Sequence, residues 1–171
     1  DYANGLYFTD DGFATLAADV GTNPAAHTAL PNPALPNSVI APFWRDLALV
    51  YDANAQRGVT VAGTAGGAMI VEYDDVEPAP AGSTNSRYDF EVIMWRQPDN
   101  APGAYEIVFA YDNLNGPLTP ATIGLENADG TVGLQYAHDD AQISNNFMVC
   151  YDWVEPKATV TYAVKVNDAL T

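Results

Sequence analysis

The chain has 171 residues, the size of one ordinary domain. With 22 Asp and Glu against 6 Lys and Arg, it carries a formal charge of −16, a surface that repels nucleic-acid phosphates and anionic lipid and disfavours both as partners. The apolar fraction of 48% is ample for a packed core and excludes disorder, while no apolar run approaches the roughly 20 residues that cross a bilayer. The start shows no charged region leading into an apolar one, so no signal peptide is expected within these residues, which says nothing against secretion.

The 13 Gly and 12 Pro punctuate the chain every few residues, a density that suits many short strands joined by turns. Residues 5–8 run into Thr9-Asp10-Asp11-Gly12 before residues 13–16 resume an apolar pattern. Asp-Gly supplies the positive φ values of a tight turn, so this segment reads as a hairpin. Residues 23–37 hold Pro24, Pro31, Pro33 and Pro36, which exclude helix and central strand and predict an ordered loop or extended segment. Residues 38–44 then enter the core, with Trp44 in an apolar setting that favours burial. Residues 59–63 and 68–73 flank Thr64-Ala65-Gly66-Gly67, a second hairpin.

Alternation is clearest in residues 88–95, which turn through Gln97-Pro98-Asp99-Asn100 into residues 105–111. There Tyr105, Ile107, Phe109 and Tyr111 share one face. Residues 122–126 and 131–136 flank Asn127-Ala128-Asp129-Gly130 as a further hairpin. Residues 148–153 and 159–166 close the chain, the latter alternating through Val160, Tyr162, Val164 and Val166. The only helix-compatible window, residues 15–20, is too short to matter. About ten strands at this spacing predict an all-β chain, an antiparallel sandwich of jelly-roll-like type in a single domain over residues 1–171.

Catalytic signatures are missing from this pattern. No Gly-x-Ser-x-Gly or comparable nucleophile setting occurs, and the four serines lie in turn-like segments, so no hydrolytic triad is expected. His27, His138 and the single Cys150 stand at scattered positions, which argues against a tetrahedral zinc site. Cys150 has no partner for an internal disulfide, and its apolar neighbours predict burial. Paired acids are frequent, at Asp10-Asp11, Asp74-Asp75 and Asp139-Asp140, but adjacent strand residues point to opposite faces. Glu91 and Glu106 are the candidates for a cross-sheet pair of the glycosidase kind, against exposure on a polar face.

Calcium is the better cofactor hypothesis. It takes oxygen ligands from loops, and Asp112-Asn113-Leu114-Asn115-Gly116 reads as a loop with donors at Asp112, Asn113 and Asn115 and a glycine that permits a sharp bend. The run lacks the length and closing Glu of an EF-hand. Among aromatics, Tyr51, Trp95 and Tyr136 lie near strand ends and are the candidate ligand-stacking residues, weighed against a half-buried packing role.

Two stretches carry a family likeness. Residues 32–47, Asn-Pro-Ala-Leu-Pro-Asn-Ser-Val-Ile-Ala-Pro-Phe-Trp-Arg-Asp-Leu, resemble the PNPALPNNVIAPFWDDL stretch of a bacterial extracellular module. Residues 121–136 resemble that module's ATVGIENADGTVGLQY hairpin. The module is found near the C-terminus of secreted subtilisin-like serine peptidases and in large surface proteins, and is more distantly similar to the NIDO domain of nidogen-like proteins. Arg45 departs from the pattern, standing where an acid is usual. The resemblance implies a secreted or cell-surface accessory sandwich joined covalently to a neighbouring domain. The expected role is non-catalytic attachment to an insoluble protein or polysaccharide substrate or to a cell surface. A structural spacer that supports folding of its neighbour is the alternative, and a glycoside hydrolase the remote one.

Overall fold

In the computed structural model the described residues are 5–55, 57–95, 103–140 and 142–153. They form eleven strands. One sheet is five-stranded, in the order β1 (Tyr7–Phe8), β2 (Ala14–Thr15), β3 (Val39–Trp44), β9 (Thr122–Glu126) and β10 (Gly133–His138). The other runs β11 (Phe147–Tyr151), β8 (Ile107–Asn115), β7 (Arg87–Trp95), β6 (Ala68–Pro78) and β4 (Leu47–Ala48), and β5 (Gly58–Gly63) also pairs with β6. Every pairing is antiparallel, as the alternating sequence predicts. The hairpins expected at residues 9–12, 64–67 and 127–130 join β1 to β2, β5 to β6 and β9 to β10. The turn expected at residues 97–100 and the strand expected at residues 159–166 lie outside the described residues.

The core lies between the sheets. Val71, Tyr73, Phe90, Val92, Phe109 and Tyr111 come from the larger sheet and meet Ala14, Ile40, Phe43 and Ile123 from the smaller one. Phe43 sets its ring edge-on against Tyr88 and Phe90, at centroid distances of 5.1 and 5.6 Å. Buried tyrosines keep their hydroxyls bonded across the layers: Tyr111 donates to Pro42 O at 2.6 Å and Tyr73 to Thr9 O at 2.9 Å. Arg45 is buried too. Its guanidinium lies over the Phe43 and Tyr88 rings and donates to Pro117 O at 2.7 Å.

A second apolar cluster covers the outer face of the smaller sheet, where Phe13, Leu30, Val39, Ala41 and Trp44 pack with Val20. The proline-rich segment is what closes it. Trp44 Nε1 donates to Pro24 O at 2.8 Å, and Leu30 N donates to Gln135 Oε1 at 2.9 Å. Asn32 N donates to the Glu126 carboxylate, and Ser38 N to Asn127 O. Gly130, at φ 65°, faces this segment so closely that a Cβ there would sit 2.2 Å from Asn32 O. The two stretches that carry the family likeness are thus one clasp, the proline-rich loop seated on the β9–β10 hairpin.

Four expectations need correction. Residues 112–115 are not a loop but the last part of β8, because Tyr88 pairs with Leu114 and Arg87 with Asn115 beyond an irregularity in register. Cys150 is exposed, since the alternation of β11 turns Val149 inward and Met148 and Cys150 outward. Glu91 stands opposite Glu72 and Ala110 rather than Glu106, whose carboxylate accepts from Trp153 N. Tyr105 precedes β8 and is exposed, so the buried face of that strand is Phe109 and Tyr111.

Candidate functional site

Two concave surfaces lie on the β6–β7 pair, one at the end where β6 begins and β7 finishes and the other over its middle. The first is an apolar cleft of about 520 Å³ where the mouth of the sandwich opens between β1 and the β5–β6 hairpin. Leu6, Phe8, Val61, Met69, Met94 and Trp95 line it. Its volume falls within the range of small-ligand sites. Met94 is buried, whereas Trp95 at the end of β7 is 40% exposed and Val61 is 61% exposed. The ring of Trp95 thus forms a wall open to solvent, able to stack on a flat apolar ligand face.

The second is an acidic basin of about 430 Å³ on the outer face of β6, β7 and β8, lined by Glu72, Asp74, Asp89, Glu91 and Asp112. Its shape comes from two irregularities that flank one residue. Between the pairs Tyr73–Phe90 and Val76–Tyr88, two residues of β6, Asp74 and Asp75, oppose Asp89 alone. Between Phe90–Tyr111 and Tyr88–Leu114, two residues of β8, Asp112 and Asn113, oppose it from the other side. Such bulges re-aim side chains that a regular strand would alternate. Asp75 adopts φ 52° and donates its N–H to Asp89 Oδ1 at 2.6 Å.

Like charges crowd this surface. Glu72 and Glu91 are directly opposed in register, an arrangement that destabilises a sheet unless something offsets it. Thr60 donates to Glu72 at 3.1 Å. Burial, then the charge of Asp89, raises the pKa of Asp74. Burial also raises Asp89, opposed by hydrogen bonds from Asp75 N–H and the Asn113 side chain. Glu91 is raised by burial and by Glu72. Asp74, Asp75 and Asp89 each offer a carboxylate oxygen within 4.8 Å of the others. An all-oxygen donor set of this kind suits a hard cation such as calcium.

The residues singled out in the sequence fall in different places. Asp112 lines the basin and Asn113 bonds to Asp89, while Asn115 ends β8 opposite Arg87. Trp95 lines the cleft. Tyr51 is 80% exposed and lies against Gly58, at the far end of β5 from the cleft. Tyr136 lies on β10 in the other sheet, its ring tilted 6.0 Å from Phe147. The three aromatics therefore do not form one platform. Sequence reasoning missed Glu72 and Asp89 and set Asp74 aside as half of an adjacent acid pair, although acids two residues apart on β6 and again on β7 were a readable signal of one charged face.

The chain matches the family model described as NIDO related over residues 2–163. The chain belongs to the NIDO-related family. No curated protein and no solved structure matches it. In this NIDO-related chain the matched span takes in both sheets, the clasp, the cleft and the basin.

Proposed function

We propose that the chain is a non-catalytic accessory domain of a secreted bacterial protein, with a subtilisin-like serine peptidase as the expected parent. Its role is to hold that parent against an insoluble protein or polysaccharide substrate or a cell surface. The observation that carries this reading is the apolar cleft walled by the half-open Trp95 ring. A large aromatic at the rim of a preformed apolar cleft is the kind of side chain that dominates binding energy. The family membership and the absence of a nucleophile motif support the same role.

Pull-down against collagen, chitin, cellulose and cell-wall material tests it. One of these is expected to retain the wild-type chain, and Trp95→Ala is expected to weaken retention about 10-fold or more. Tyr136→Ala, on the other sheet, is expected to leave it unchanged. Protein that stays unbound on every matrix would overturn the attachment role. The spacer reading would then be favoured, in which deleting the domain lowers the parent's stability and secretion without changing its adsorption.

A further inference from the structure

The two histidines are distant in sequence, yet the fold brings them together. His27 belongs to the proline-rich loop and His138 ends β10, and their ring centroids lie 5.6 Å apart. Asp139, at φ 55°, offers its carboxylate to both rings. Its Oδ1 lies 2.8 Å from His27 Nε2 and its Oδ2 3.6 Å from His138 Nε2. One donor atom from each of the three residues lies within 4.8 Å of the other two.

A buried hydroxyl fixes how one of these rings presents itself. Thr122 is fully buried, and its Oγ1 lies 2.9 Å from Thr28 O and 2.8 Å from His138 Nδ1. A carbonyl only accepts, so the single hydroxyl proton goes to Thr28 O. The hydroxyl must then accept from His138 Nδ1–H. A neutral His138 accordingly turns the lone pair of Nε2 toward the Asp139 carboxylate. Two acceptors that face each other are held together either by a proton on Nε2 or by a metal ion between them. A ring nitrogen oriented by a hydrogen bond at its other nitrogen is the usual outer support of a metal ligand. Asp139 is supported as well, with Oδ1 accepting from Ala121 N at 3.2 Å.

We propose that His27, His138 and Asp139 form a binding site for a divalent transition metal of the zinc class, with a fourth position open to solvent. Two imidazole nitrogens and one carboxylate are donors of the borderline kind that such ions prefer, unlike the all-oxygen basin. Zinc bonds of about 2.0–2.1 Å put tetrahedral ligand atoms roughly 3.4 Å apart. The two histidine–carboxylate distances, 2.8 Å to Oδ1 and 3.6 Å to Oδ2, bracket that separation, and rotation of the side chains would bring one donor from each residue onto a shared ion. Side-chain exposures of 16% for His27, 30% for His138 and 49% for Asp139 leave a path for entry. A metal here would tie the proline-rich loop to the end of β10.

Chelator-treated chain titrated with cobalt and zinc tests the site. Cobalt is expected to bind one to one and give visible absorption bands of an imidazole-bound ion, which zinc abolishes. Zinc at about 100 times its Kd is expected to raise Tm by roughly 5–10 °C. His27→Gln and His138→Gln are expected to lose both effects while still melting cooperatively in chelator. Thr122→Val is expected to lower zinc affinity about 10–100-fold. The double variant Asp74→Asn with Asp89→Asn should leave the zinc response intact. No visible bands from the wild-type chain with cobalt would overturn the proposal, a result that depends on no variant folding. A zinc-induced shift retained in both histidine variants would overturn it equally.

Discussion

Replacing Glu77 with alanine is expected to destabilise the fold by about 3 kcal/mol, near the lower end for breaking a buried ion pair. The carboxylate is 3% exposed and stands near the end of β6. Its Oε1 accepts from Arg57 Nη2 at 2.6 Å and lies 2.9 Å from Arg87 Nη2, while Oε2 accepts from Gly82 N at 2.6 Å. Alanine would leave two guanidinium groups facing each other and a backbone N–H without its partner. Both arginines keep some access to water, with side-chain exposures of 17% and 27%, which is why the lower end applies. Urea denaturation of the two proteins measures the difference, and a drop in Tm of about 6–12 °C should accompany it. A loss below about 0.5 kcal/mol would mean that the cluster behaves as an ordinary surface pair.

The second large effect concerns pH and runs against the habit of acid denaturation. Asp11 is 6% exposed, and its pKa is pushed up to about 6, first by burial and then by the charges of Asp10 and Asp46. A carboxyl whose pKa is higher in the folded than in the unfolded state binds its proton more tightly when folded. Its contribution is present at low pH and is lost as the pH rises through the folded value. Full burial would make the gap between 3.8 and about 6 worth about 3 kcal/mol, and partial access of water reduces this to about 2 kcal/mol. Asp74, Asp89, Glu91 and Glu126 are raised as well, all with burial as the first cause, and add with the same sign.

Stability should therefore rise as the pH falls from 7.5 toward about 5. The opposing groups act lower. Glu77, Asp129 and Asp139 are held below the usual carboxylate range, chiefly by hydrogen bonds from Gly82 N–H, the Thr131 hydroxyl and His27 respectively. Their contribution is present above the ordinary carboxylate values and is lost only as the pH falls through the depressed ones. Thermal melts across this range should show a maximum between about pH 4 and 5. Asp11→Asn, which keeps an acceptor for the Leu47 N–H, should flatten much of the slope above it. A wild-type Tm that falls steadily from pH 7.5 to 5 would refute the account.

The strands were legible because alternation and turn chemistry agreed. Asp-Gly at 11–12 and 129–130 and Gly-Gly at 66–67 marked three hairpins that the structure contains. Trp44 and its apolar neighbours announced their own burial. What stayed hidden depended on register. Two bulges place Asp74-Asp75 and Asp112-Asn113 against a single Asp89, and nothing local in the sequence marks where two residues face one. The histidine pair was hidden for a different reason. His27 and Asp139 are 112 positions apart, and only the docking of an irregular loop unites them. The aromatics shared residue type and strand-end placement, but sequence could not say that Trp95 and Tyr136 belong to different sheets.

The clasp also bears on survival among peptidases. A peptidase needs a stretch of backbone free to lie extended in its active site, and irregular loops are where nicking usually begins. Residues 23–37 have the composition of such a target but not its freedom. Pro24 O, Thr28 O, Leu30 N and Asn32 N are each bonded to Trp44, Thr122, Gln135 or Glu126 in the sheet beneath. Each of these bonds must open before its stretch of backbone can lie extended in a peptidase, so the anchors slow nicking of the loop. In the proposed role beside a serine peptidase, such anchoring would protect the domain from its own parent.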